Sequence, residues 1–115
     1  MTALRLISLP THAVLELALG VALMAAPFAL GFGPAGLVVS VALGAIVVGL
    51  ALSADPDAGT SVAAHFAYDR AVAFGLVFGA LALALANDSV AAVFLAGAAI
   101  VQTALNLITR YTARA

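Results

Sequence analysis

Cysteine, lysine and tryptophan are all missing from the 115 residues. Without cysteine, disulfides, thiolate metal sites and thiol nucleophiles are excluded together. The four cations are all arginine (Arg5, Arg70, Arg110 and Arg114), and against five carboxylates they leave a net charge of −1. So few cations could not neutralise a run of phosphates, which excludes nucleic acid as a partner. Charged residues make up 8% of the chain and hydrophobic ones 66%, where a soluble domain carries about 25% charged residues. A water-soluble fold of this size could not cover so much apolar side chain.

What is present is a series of long apolar runs. Residues 13–32 carry only one charge, Glu16, and residues 35–54 carry none. At about 1.5 Å per helical residue, such runs of about 20 residues match a hydrocarbon core about 30 Å thick. Gly33-Pro34-Ala35-Gly36 supplies a tight turn between them, so the two form a helical hairpin. Residues 64–86 and 90–109 form a second hairpin around Asn87-Asp88-Ser89, with a capping residue in that turn. Residues 55–61 are the one long polar connection, and Ser61 is a candidate N-cap for the third helix. None of the runs alternates polar with apolar residues as an outer-membrane strand does. The expected fold is therefore an all-α membrane protein of four transmembrane helices, a single domain over residues 1–115, with hairpins at 12–54 and 64–109. Arg5 ahead of an apolar stretch, with Ala25-Ala26 imitating a cleavage region, has the outline of a leader peptide. The expectation is that the segment is retained as the first span. Four crossings put every arginine on one side, which the positive-inside rule makes cytoplasmic, in a cell membrane.

Small residues recur at four-residue spacing: Ala18, Ala22 and Ala26; Gly36, Ser40 and Gly44; Ala71, Gly75 and Gly79; Ala92 and Ala96. Such stripes let helix backbones approach closely in lipid and predict a compact bundle, with a homo-oligomer or a membrane-protein partner on a remaining stripe. Pro27 inside the first helix is expected to free a carbonyl and kink it. Tyr68 and Tyr111 read as interfacial anchors.

Shifting the chain by 53 residues superposes the hairpins and pairs His12 with His65, Glu16 with Asp69 and Gly44 with Gly97, although only ten of 43 positions are identical. A direct repeat of hairpins predicts a pseudo-twofold axis along the membrane normal. It also places His12/Glu16 and His65/Asp69 at one depth. Each pair is four residues apart, so each histidine shares a helix face with a carboxylate. Gln102 and Asn106 from the fourth helix, and Ser53 from the second, fall at the same level. This polar layer reads as interhelical hydrogen-bond glue, which is cheap near the interface. Three further readings stay open. Two His/carboxylate pairs could complete a metal tetrahedron, although the zinc-peptidase pattern of two histidines around a glutamate is missing. His12 and His65 could be axial ligands of haem. The carboxylates, with Arg70 compensating charge, could serve a proton or solute relay, but few polar residues lie deeper for an ion to follow.

Ala26-Pro27-Phe28, in an apolar helix that contains Gly20, resembles the Ser-Pro-Trp motif of the SPW-repeat family of small bacterial membrane proteins. The second repeat has Gly79-Ala80-Leu81 at the equivalent place. The acid-resistance membrane protein family is similar in its apolar hairpins. Either resemblance implies paired membrane hairpins, and neither brings a reaction or catalytic residues. The function expected is that of a noncatalytic accessory or scaffold subunit in the lipid bilayer. No cofactor is expected, and the alternative is a metal-, haem- or proton-binding protein built on His12, Glu16, His65 and Asp69.

Overall fold

The computed structural model describes residues 6–54 and 61–111. Arg5, Arg114 and nearly all of the polar connection at 55–61 lie outside the described residues. A two-residue strand, β1 (Ile7–Ser8), leads into α1 (Leu9–Leu30). Helices α2 (Pro34–Leu52), α3 (Val62–Leu85) and α4 (Ser89–Ile108) follow, and a last short strand, β2 (Thr109–Arg110), precedes Tyr111. All four helices are long and apolar enough to cross a membrane, and the chain is an all-α four-helix membrane protein. Its 43 Å long axis is close to the thickness of a bilayer with its headgroups, about 40–45 Å. Phe28, Phe74, Phe78, Leu85 and Ile100 all point outward, a display that suits a lipid surrounding.

Local chemistry sets the ends of the helices. Ser8 caps α1 through its hydroxyl, which accepts from the Thr11 N–H, so α1 begins four residues before the predicted span. Ser61 caps α3 in the same way, accepting from Ala64, as expected. Gly31 ends α1 at φ 70°, and Asn87 turns the chain between α3 and α4 at φ 63°. These left-handed positions suit glycine and asparagine. Asp88 both caps α4, accepting from Ala91, and accepts the Gly33 N–H at 2.9 Å. One carboxylate thus ties the two hairpin turns together at that end of the bundle.

Within α1, Pro27 has no N–H to offer the carbonyl of Leu23, the residue one turn back. The helix nevertheless runs on through Pro27, because Ser40 of α2 donates its hydroxyl to the Leu23 carbonyl at 2.6 Å in a buried setting. Ser40 completes the backbone of its neighbour. Ser40→Ala should leave that carbonyl unpaired and cost about 1–3 kcal/mol. In the Pro27→Ala background, where α1 can bond its own carbonyl, the same change should cost much less. A double-mutant cycle on thermal unfolding in detergent checks this coupling.

The predicted stripes divide on inspection. Gly36, Ser40 and Gly44 are buried, and Gly75 and Gly79 are half-buried against Leu43 and neighbouring side chains. Ala18 and Ala22 are exposed among the described residues. Inward positions of α1 are His12, Glu16, Gly20 and Leu23, and Ala18 lies about 200° round the helix from Glu16. Gly20, not the alanines, faces Gly44. An apolar core around Leu23, Val47, Leu76 and Leu95 fills the middle of the bundle.

Candidate functional site

At the bundle end opposite Asp88, the first turns of α1 and α3 carry His12, Glu16, His65 and Asp69, and all four side chains are buried. The i, i+4 spacing places each pair on one helix face, and α1 and α3, which stand diagonally across the bundle with α2 and α4 between them, turn those faces toward each other through its interior. His12 Nε2 lies 3.5 Å from Glu16 Oε2 and 3.0 Å from Asp69 Oδ2. His65 Nε2 lies 3.4 Å from Glu16 Oε1 and 3.3 Å from Asp69 Oδ1. Each histidine therefore meets both carboxylates. The imidazoles sit edge to face with centroids 5.9 Å apart.

An outer layer of donors and acceptors holds this quartet. Gln102 donates one amide N–H to Glu16 Oε2 and the other to Asn106 Oδ1, both at 2.9 Å. Asn106 donates to the Asp69 backbone carbonyl at 3.1 Å, so the two amides predicted at this level do belong to it. Tyr111 donates its hydroxyl to Asp69 Oδ2 at 2.6 Å, and its ring packs against His12 and Phe66. Burial first, and then the Asp69 carboxylate, hold the Tyr111 phenol well above its ordinary pKa, so it remains a donor. Thr109 donates its hydroxyl proton to the Leu105 carbonyl. Its oxygen, 2.7 Å from His12 Nδ1, is then left to accept, which places a proton on Nδ1. In neutral His12, Nε2 is a bare lone pair facing two carboxylate oxygens.

Among the described residues six buried side-chain atoms have no hydrogen-bond partner; His65 Nδ1 and Gln102 Oε1 lie at the edge of the site, and the other four, His12 Nε2, His65 Nε2, Glu16 Oε1 and Asp69 Oδ1, are at its centre. Each of these four comes from a different residue, and the four side chains offer donor atoms within 4.8 Å of one another. With both imidazoles neutral, two carboxylates leave a buried charge of −2, which low dielectric makes costly unless a cation neutralises it. A tetrahedral ion with bonds of about 2.0–2.1 Å spaces its ligands about 3.3–3.4 Å apart. Within this set, His65 Nε2 lies 3.4 Å from Glu16 Oε1 and 3.3 Å from Asp69 Oδ1, which matches that value.

Arg70 is not part of the set. It is exposed, its guanidinium lies 4.3 Å from the Phe66 ring centroid, and among the described residues it pairs with no carboxylate. It directly follows Asp69, and a helix turns about 100° per residue, so it points away from the cluster. Ser53 is also elsewhere, donating to the Leu50 carbonyl at the end of α2. Thr109 and Tyr111 are the residues that sequence reasoning missed. Thr109 continues the Gln102/Asn106 face at i+7 and so carried a legible signal. Tyr111, read as an interfacial anchor, is drawn in because β2 pairs in parallel with β1, Ile7 opposite Thr109 and Ser8 opposite Arg110. Comparison with family models, curated proteins and solved structures finds no match to this chain.

Proposed function

We propose that this is a noncatalytic protein of the cell membrane that binds one divalent cation of the zinc class between its two hairpins, at a cytoplasmic bundle end. The observation that carries the reading is the set of four converging, unpartnered atoms from His12, Glu16, His65 and Asp69. Their nitrogen and carboxylate donors suit zinc or a neighbouring first-row divalent ion. The outer layer has the form expected around a metal at three of the four donors: His12 donates its other N–H to Thr109, and each carboxylate has its second oxygen held by Gln102 or Tyr111, while His65 Nδ1 has no such partner. Four protein donors fill a tetrahedron and leave no open position, the pattern of a structural site. The ion would staple α1 to α3, which suits an accessory or scaffold subunit.

Haem fits less well, because the carboxylates stand between the imidazoles where a porphyrin would have to lie. A transmembrane relay also lacks support, since Leu23, Val47, Leu76 and Leu95 close the interior beyond the cluster. The test is elemental analysis of protein purified in mild detergent without chelator, followed by metal removal and zinc titration against a chromophoric chelator. One divalent ion per chain and saturable one-to-one rebinding are expected. Protein that purifies without a divalent metal and shows no saturable uptake of zinc, iron or manganese would rule the reading out.

A further inference from the structure

Away from the cluster, small side chains of α3 and α4 leave a trough of about 700 Å³ on the outer face of the pair, within the range of small-molecule sites. Alanines make it: Ala80 and Ala84 of α3 face Ala92, Ala96 and Ala99 of α4. Val77, Thr103 and Leu107 continue its wall into a second cavity of about 190 Å³, which Arg70 and Asn106 also line. An apolar slot thus runs along the membrane-spanning part of the helices and ends beside an arginine.

We infer that this slot binds an anionic phospholipid, with an acyl chain in the alanine trough and the phosphate on Arg70. Charge complementarity selects the occupant. Arg70 is exposed, and among the described residues no carboxylate pairs with it. Its guanidinium folds back over Phe66, one turn nearer the bundle end, which is the direction of the headgroups. Thr103 lines the same cavity as Arg70. A neutral helix from a second copy would fill the trough and leave Arg70 without an anion. A phospholipid with a negative headgroup satisfies both parts, and an arginine suits a phosphate better than a point charge does. Asn106 borders both sites, but Arg70 and the alanines that carry the inference lie outside the metal cluster, so it holds whether or not the metal reading does.

The experiment is native mass spectrometry of the full chain released from nanodiscs of equal parts phosphatidylglycerol and phosphatidylcholine. One retained phosphatidylglycerol per chain is expected, favoured over phosphatidylcholine by about fivefold or more. Arg70→Gln should erase that preference and Arg70→Lys should keep part of it. Ala96→Leu, which fills the trough, should lower retention of both lipids with Arg70 in place. Equal retention of the two lipids by the unaltered chain, indifference to Arg70→Gln, or a dimer crosslinked through Ala96→Cys in place of bound lipid would each overturn the proposal.

Discussion

Zinc added to the metal-free protein in mild detergent is expected to raise its unfolding midpoint, and Asp69→Asn or Glu16→Gln to abolish the rise. A ligand that binds only the folded state stabilises it by about 2.7 kcal/mol at a hundred times its Kd. Losing one of four donors should weaken binding beyond the roughly 10–100-fold that outer-layer changes cost. Thr109→Val and Tyr111→Phe fall in that lesser class. The first removes the acceptor that sets the His12 tautomer, and the second frees Asp69 Oδ2. Arg70→Gln should leave zinc affinity unchanged. The metal-free proteins carry the sharper test. If the quartet exists to hold a cation, metal-free protein buries excess negative charge, and Asp69→Asn relieves it because the new amide can donate to His12 Nε2. That variant should be as stable as its metal-free parent or more so. If the quartet is instead held by protons alone, the same change breaks an ion pair with a buried imidazolium and should cost several kcal/mol. Thermal unfolding with and without chelator separates the two, and a destabilised metal-free Asp69→Asn protein whose parent ignores zinc would sink the metal reading.

The helices and their pairing were legible because length, hydropathy and turn residues are local properties, and Pro34, Ser61 and Asp88 act within a few residues of where they stand. The two His/carboxylate pairs were legible for the same reason. What faced what was harder to read. Beyond their His/carboxylate ends, helices α1 and α3, like α2, carry apolar side chains all the way round, so composition does not distinguish a lipid face from a packed one there. Ala18 and Ala22 looked like a packing stripe in that uniform background, although Glu16 on the opposite face already marked the interior. Arg70 was grouped with Asp69 by proximity in sequence, where helical rotation sets them apart. Tyr111 reaches the site through a strand pairing that joins the two ends of the described chain, and no local pattern announces such a contact. Ser40 looked like one of a small-residue stripe. Its role follows from Pro27, a residue in another helix, and emerges only once the two are seen to touch.

Gly44→Ala should cost about 1–3 kcal/mol, whereas Gly97→Ala, its counterpart 53 residues on, should cost nothing measurable. A methyl group on Gly44 would sit 2.8 Å from the Gly20 carbonyl oxygen and 2.9 Å from the Met24 nitrogen, both backbone atoms of α1. Neither can rotate away, so α1 and α2 must separate. On Gly97 the same methyl meets nothing within 4 Å, and it gains the better helix propensity of alanine. The contrast shows that the positions equated by the shifted alignment do not share a packing role. Gly20 faces Gly44 across the first hairpin, but Ala73 and Gly97 make no such contact across the second. Separation of α1 from α2 should also move Leu23 away from Ser40 and break the bond that offsets Pro27. Gly44→Ala combined with Ser40→Ala should then cost less than the sum of the two single changes. Gly97→Ala combined with Ser40→Ala should be additive. Unfolding midpoints for the three single and two paired variants decide the matter, and equal costs at Gly44 and Gly97 would mean that the close approach of α1 and α2 contributes no more than the open face of α4.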